Sequence, residues 1–474
     1  LICLSCIFEV ANAHPFIRSE VILVTNFAHR FGFLRCILVL PIAISVAACS
    51  PETTYSDYVS VPTDNVILTT QVPTTSSQSA TTSTETTAST PTPTPVDLDF
   101  GPPFETNPAN TLYLPASADQ TRAPSVITQT EYAVTILTEE LVSPWAVTTL
   151  PDGRFLITEK AGTLRIMTTD GALSAPIGGF PKVDDRAQGG LLDVAPAPDF
   201  ETSRMLYFTL AEWTDEGSLT AVGRGRLADD EKNIENFAII WRAIPYFDNS
   251  AHFGSRLTFD EQGNLFVTTG ERSDLVTRPN AQLLDNGYGK VVHITPDGEP
   301  VPDNPFIGQE GALPEIYSYG HRNVQGLVID PQTGDIWISE MGPRGGDELN
   351  LIKAGGNYGW PVISYGIEYS GDPIPGGITV MEGMEQPVYY WDPVLAPSGM
   401  TFYSSDTIPE WKGNLFIGGL ASLRISRLVM ENGRVIAEEW LLEEEGQRFR
   451  DVCEGADGAI YAVTDSGRMY RIGV

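Results

Sequence analysis

The sequence predicts an all-β fold for residues 125–474, a six-bladed β-propeller of four-stranded antiparallel blades, on three observations. One short phrase recurs six times: a polar turn containing Gly or Asp, then a strand of alternating character. Successive copies begin roughly 45 to 80 residues apart, room for several strands each. No convincing long amphipathic helix separates them.

The copies in order are PDGRFLITE (151–159), DFETSRMLYFTLAE (199–212), DEQGNLFVTTGE (260–271), DPQTGDIWISE (330–340), EWKGNLFIGGL (410–420) and ADGAIYAVTD (456–465). Each has the period-two pattern of a strand bounded by turn residues. Units of this size stack side by side and close into a ring, which protects their edges. A sandwich or a solenoid is the alternative architecture. The unequal intervals imply inserted loops, where sites tend to sit.

Ahead of the repeats the chain changes character twice. RFGFLRCILVLPIAISVAAC (30–49) has basic residues Arg30 and Arg35, then an apolar run too short for a comfortable membrane span. It ends in VAAC, which resembles a lipoprotein lipobox with Cys49 as the lipidated residue. Export to the periplasm or cell surface, with a lipid anchor at Cys49 as the sole membrane contact, is the expectation; an ordinary signal peptide is the alternative. Residues 1–29 lack an initiating Met and read as an over-extended gene start. From 50 to 124 the chain is rich in Thr, Ser and Pro, a composition that buries too little apolar surface to fold, so a solvated linker is expected there.

Lys and Arg total 29 against 61 Asp and Glu, a formal charge of −32. So acidic a chain repels nucleic acid and anionic membranes, which excludes both as partners of the domain. Cysteines stand at 3, 6, 36, 49 and 453, leaving Cys453 alone in the globular region and no disulfide within it. The CLSC pair at 3–6 has metal-site spacing, but no second pair follows.

Three histidines fall in the domain: His252, His293 and His321. His252, in AHFGSR, sits at the mouth of a hairpin where a strand would favour a branched apolar residue. His293 alternates with Val291 along a strand and reads as a packing residue. His321 belongs to YSYGHRNVQGL, where His321, Arg322, Asn323 and Gln325 crowd one short loop and suggest a lined site. GPRGGDE (342–348) joins a Gly/Pro turn, its carbonyls free to face outward, to Asp347 and Glu348. Carbonyl and carboxylate oxygens together suit Ca²⁺, and the soft or nitrogen ligands of a Zn²⁺ site are missing from the stretch. Gln188 precedes a Gly pair and an apolar run, and Arg448 and Arg450, two apart, face the same side of an extended strand. Paired arginines in an acidic protein suggest an anionic ligand.

Seven stretches taken in order resemble the soluble glucose dehydrogenase family that uses pyrroloquinoline quinone (PQQ), and most closely its aldose sugar dehydrogenase branch. They are SPWAVTTLPDGRFLITEKAGTLRI, QGGLLDV, HFGSRLTFD, YGHRNVQGL, GPRGGDELNLIKAGGNYGWP, APSGMTFY and RFRDV, and the resemblance covers about 130–474. The resemblance implies a six-bladed propeller that oxidises aldoses at C1 to the lactone, a base assisting hydride transfer to C5 of PQQ, with electrons passed to an external acceptor. It makes His252 the catalytic base and places Arg322 and Asn323 at the reactive carbonyl. Gln188 would lie near quinone and substrate, Arg448 and Arg450 on the cofactor carboxylates, and Trp391 facing the ring. Gly342 and Pro343 would hold Ca²⁺ through backbone carbonyls, with Asp347, Glu348 and Tyr358 as further Ca²⁺ ligands.

Two departures accompany the match. Ala251 stands where the glucose dehydrogenase branch has an Asp before the histidine, and Ala421 or a neighbour where it has a lysine directed at PQQ. Both point to the aldose-type branch, and the first leaves the partner that orients His252 unassigned. The rival readings are a Ca²⁺-dependent lactonase, which would need carboxylate and Asn ligands converging on the channel and leaves the arginine pair unexplained, and a non-catalytic surface propeller binding glycans or proteins.

Overall fold

Six antiparallel sheets follow one another along the chain in the computed structural model, which describes residues 99–474. The leader, Cys49 and the linker as far as 98 lie outside the described residues. Blade 1 contains Pro144–Thr149, Phe155–Glu159 and Thr163–Met167, and blade 2 runs from Leu191–Pro196 to Ile234–Arg242. Blades 3, 4 and 5 begin at Gly254–Phe259, Val324–Ile329 and Pro397–Phe402. Blade 6 contains Phe449–Glu454, Ile460–Thr464 and Met469–Gly473. Its fourth strand is Ala133–Thr138 from the start of the domain, paired antiparallel from Ala133 with Gly473 to Thr138 with Met469, with a register shift between Ile136 and Thr138. The ring is thereby closed by hydrogen bonds between the two ends of the domain.

Every copy of the repeated phrase lands on the same feature, the turn from the innermost strand of a blade into its second strand. Four-stranded blades hold for five of the six sheets; blade 1 has three strands. The stretch after its third strand forms isolated bridges at Leu164–Ile177 and Met167–Leu173 rather than a fourth strand.

The cores lie between blades, one apolar cluster at each of the six interfaces. Trp145, Leu164, Leu192 and Phe208 fill the gap between blades 1 and 2, and Trp337, Trp391, Phe402 and Leu415 the gap between blades 4 and 5. Trp391, expected to face a bound ring, is one of these core residues: it is buried, and its indole N–H donates to Glu438 Oε1 at 3.1 Å.

On the axis stands Arg256. Its Nη1 meets Asp451 of blade 6 at 2.9 Å and Asp193 of blade 2 at 3.3 Å. Its Nε donates to the Gln325 carbonyl of blade 4 at 2.7 Å, and the guanidinium lies 4.2 Å from the ring centre of Trp145 in blade 1. Blade 5 contributes Gly399, where a Cβ would fall 1.6 Å from Asp451 Oδ1 and 2.6 Å from Arg256 Nη2, so a larger residue cannot pass. A single side chain from blade 3 thus touches the inner strands of the other five.

Residues 99–124 depart from the expected linker. Gly101 bridges to Ser125, Gln120 is buried with its amide donating to the Pro387 carbonyl at 2.7 Å, and Tyr390 N–H donates to the Gln120 carbonyl at 2.8 Å. The composition average over 50–124 hides a segment whose few polar side chains each have a fixed partner on the propeller.

Arg256→Met would leave Asp193 and Asp451 buried without their cation. It is expected to lower stability by about 3–5 kcal/mol in urea denaturation; a change under about 1 kcal/mol would show that the axis does not depend on this group.

Candidate active site

Neighbouring antiparallel strands put the start of each inner strand and the end of each second strand at the same end of the ring. The residues singled out in the sequence collect there, because they precede inner strands: Gln188 before blade 2, His252 before blade 3, Arg322 and Asn323 before blade 4, and Arg448 before blade 6. Several of these approaches bend through the left-handed region, with φ of 48° at Ser143, 43° at Ala187, 50° at His252 and 51° at Ala396. For non-glycine residues that conformation is costly and persists only where other contacts hold it.

At His252 those contacts are evident. Its N–H donates to Gln188 Oε1 at 2.8 Å, and its carbonyl accepts from Arg272 N–H at 3.3 Å. Asn323 Oδ1 accepts from Gly254 N–H at 3.1 Å, two residues further on. The imidazole Nδ1 lies 2.6 Å from Glu271 Oε1, and among the described residues Nε2 has no protein partner. A carboxylate on Nδ1 holds that proton in place and leaves Nε2 as the acceptor. Glu271 is therefore the orienting partner that Ala251 cannot be. Its neighbour Arg272, buried and packed 4.0 Å from the Phe253 ring centre, donates to the Ala251 carbonyl at 3.1 Å and also to the Asn249 carbonyl, bracing the histidine segment.

The sequence reading missed Glu271, yet a signal was present. Five of the six repeat copies end in an acid, Glu159, Glu212, Glu271, Glu340 and Asp465, where the second strand ends. Three of those acids hold site residues: Glu271 holds His252, Asp465 accepts from both Arg448 and Arg450 at 2.8 Å, and Glu340 accepts the Arg322 N–H at 2.7 Å.

His252, Gln188, Arg322, Gly342, Pro343 and Asp347 line one cavity of about 420 Å³. Arg322 Nη1 donates to the carbonyls of Met341 at 2.9 Å and Gly342 at 2.5 Å, while its buried Nε has no partner. Trp360, also unforeseen, lies with its ring centre 5.1 Å from that guanidinium. Arg448 and Arg450 stand at the same end but on Asp465, outside the cavity lining. Lys160 lies near them with its ammonium on the Ala187 carbonyl, close enough to feel the charges of Arg450 and Asp465. His321 and Asn323 are buried supports rather than lining: His321 bridges Glu340 at 3.0 Å and Ser318 at 2.8 Å and stacks on Tyr358. Gln325 belongs to the axis beside Arg256, and His293 packs on Phe266 as expected.

Asp347 and Glu348 do not act as a pair. Adjacent strand residues face opposite sides, so Asp347 lines the large cavity and Glu348 a separate void of about 10 Å³. Asp347 is spent on structure, its oxygens accepting from the N–H groups of Gly342 at 2.9 Å, Leu395 at 2.8 Å and Ala396 at 2.7 Å. The Tyr358 hydroxyl is likewise used, donating to the Leu351 carbonyl at 2.6 Å and accepting from Lys353 N–H at 2.9 Å. The void suits a small cation: it holds one water-sized sphere and is lined by Glu340, Glu348 and the Gly342–Pro343 turn. Burial and the neighbouring Glu340 push the Glu348 carboxyl well up from its ordinary range. Asn350 Oδ1, buried nearby, has no protein partner among the described residues. Among the described residues no three His, Cys, Asp or Glu side chains converge, so carbonyls would have to complete any coordination.

Burial, with the Arg322 charge beside it, drives the His252 imidazole down to about 4, against the opposing pull of Glu271. The ring is thus neutral, with Nε2 unprotonated, through the physiological range.

The chain matches the family model described as glucose/sorbosone dehydrogenase over residues 141–471. It is 44% identical over 344 residues to the aldose sugar dehydrogenase of Escherichia coli, covering 72% of this chain and 92% of that protein. The crystal structure of the soluble E. coli aldose sugar dehydrogenase in its apo form superposes with a TM-score of 0.69 at 43% identity, over 72% of this chain and 99% of that one. The PQQ-bound aldose sugar dehydrogenase of Streptomyces coelicolor superposes with a TM-score of 0.61 at 28% identity, over 73% and 99%.

NMR titration of the His252 ring is expected to give an apparent pKa of about 4, and Arg322→Met to raise it. Because the folded value lies below the unfolded one of about 6.5, the neutral ring's share of stability is complete above that pH and lost as pH falls towards 4. Titration near 6.5 would contradict the burial and charge assigned to this ring.

Proposed function

The chain belongs to the glucose/sorbosone dehydrogenase family, and from that premise we propose that it oxidises aldose sugars at C1 to the lactone with PQQ as cofactor. One observation carries the reading: a neutral imidazole, fixed by Glu271 at Nδ1, presents its free Nε2 on a cavity shared with the Arg322 guanidinium.

His252 Nε2 takes the proton of the anomeric hydroxyl as the C1–H bond is broken and the C1–O bond becomes a carbonyl. A neutral imidazole held in one tautomer and aimed at the departing proton contributes, as a general base, about 10²–10⁴-fold. PQQ, when bound, supplies the two-electron acceptor for the hydride leaving C1, and an external acceptor later removes those electrons. Arg322 has its unpaired Nε beside the cavity and would bind and polarise the cofactor's oxygens; Lys160, Arg448 and Arg450 offer positive charge to carboxylates in an otherwise acidic protein. Gln188 keeps its amide N–H groups for ligand while its oxygen holds the His252 backbone. Ca²⁺ would be held by the Gly342 and Pro343 carbonyls, with Glu348, Glu340 and Tyr358 around the small void, and would supply Lewis-acid stabilisation of developing oxygen charge. Export, with a lipid on Cys49, completes the proposal and places the sugar supply outside the cytoplasm.

Apo-protein given PQQ and Ca²⁺, then an aldose and an artificial electron acceptor, is expected to reduce the dye. His252→Ala should abolish the activity, and Glu271→Gln should lower kcat by about 10²–10⁴-fold with the fold intact. Full activity in His252→Ala would remove the base from the account.

A further inference from the structure

The segment 99–124 precedes the stretch that the family model matches, 141–471, yet it reaches the cavity. Asn110 is part of the cavity lining, along with His252 and Arg322. Its seat is built for it. Asp392 is buried, and its oxygens accept from Asn110 N–H at 2.7 Å, Thr111 N–H at 3.1 Å and Thr111 Oγ1 at 2.9 Å. Among the described residues, those three donors are the side-chain carboxylate's hydrogen-bond partners. A buried carboxylate left without them would be costly, so the segment and its seat depend on each other. Arg122 adds a bond from Nη2 to the Asp392 carbonyl at 2.9 Å.

The Asn110 amide is then divided between two tasks. Nδ2 donates to the Pro393 carbonyl at 2.9 Å, and Oδ1 accepts from Arg344 Nε at 3.1 Å. Arg344 lines the cavity mouth, and among the described residues its two Nη groups bond nothing. Tyr369, 74% exposed, also lines the mouth and offers an aromatic face. A guanidinium fixed at Nε with both Nη groups free is a two-pronged donor suited to a pair of neighbouring hydroxyls, and an aromatic ring suits the apolar face of a pyranose.

We propose that residues 99–124 are part of the substrate site, with Asn110 as a positioning residue that holds Arg344 over the cavity mouth to bind the hydroxyls of the sugar. The inference rests on the aldose dehydrogenase reading and deepens it: an element outside the matched family core sets how tightly this chain grips its sugar.

The test compares the parent protein with Arg344→Ala, Asn110→Ala and Asn110→Asp, the last keeping an acceptor for Nε. Two readouts are taken on each: KM and kcat for glucose with PQQ, Ca²⁺ and dye, and glucose binding by saturation-transfer NMR, which needs no turnover. Arg344→Ala should raise KM about 10-fold or more with a smaller change in kcat, and weaken the NMR signal in parallel. Asn110→Ala should do the same more weakly, and Asn110→Asp, which keeps the acceptor for Arg344 Nε but loses the bond to the Pro393 carbonyl, should recover part of the loss. KM and binding within about twofold of the parent in both alanine variants would overturn the proposal, as would a parent that binds no glucose. A parent that binds glucose without turning it over would instead sink the dehydrogenase reading, while loss of that binding in both Arg344→Ala and Asn110→Ala would still support the role of residues 99–124.

Discussion

A propeller has no single core, and the constraint on which this one turns is the charge at its centre. Arg256 reaches the inner strands of the five other blades through ion pairs, a carbonyl, an aromatic face and the gap left by a glycine. Burial pushes the Asp451 carboxyl up to about 6 and raises Asp193 as well, while the guanidinium pulls both back down. Each acid is further held by main-chain donors, Asp451 by Val147 N–H at 2.8 Å and Asp193 by Leu257 N–H at 2.9 Å. A buried cation with two buried anions is stabilising only when every lone pair and proton is answered. Here the answers come from different blades, so the ring's geometry and the network's satisfaction are one condition.

The same strands carry the candidate site. Six of the seven short stretches that define the family resemblance cross from a loop into an inner strand; GPRGGDELNLIKAGGNYGWP leads into the third strand of blade 4, Asp347–Leu351. The residue before the strand faces the cavity at Gln188, His252 and Arg322. The residue inside the strand goes to the axis: Asp193, Arg256, Gln325, Gly399 and Asp451. Cavity residues are thus held within a few positions of the most constrained point in the molecule. That proximity lets His252 occupy a left-handed conformation and lets its ring remain buried and neutral.

This division explains what was legible in the sequence. The blade count could be read from turn-and-strand copies because every copy occupies the same register of its blade. His252 and Arg322 were legible because a titratable or charged group at the mouth of a strand has few structural uses. Glu271 was overlooked because it closes a copy of the repeat and so looked like part of the framework, although an acid ends most copies. Asp347 and Glu348 were read as a pair because they are adjacent, and strand alternation separates them. Trp391 looked like a ring-facing aromatic, but blade packing consumes tryptophans in bulk. The boundary at 124 failed for a different reason: composition reports on averages, whereas Asn110, Gln120 and Arg122 act one at a time through partners nearly 300 residues away.

The central claim is that the cavity beside His252 is a quinone site with Arg322 as its principal anchor. Calorimetric titration of PQQ into the apo-protein in the presence of Ca²⁺ tests it most directly. The account predicts one PQQ bound per chain at micromolar concentration or below, weakened about 10- to 100-fold in Arg322→Met. No binding at micromolar PQQ, or equal binding by the two proteins, would contradict it.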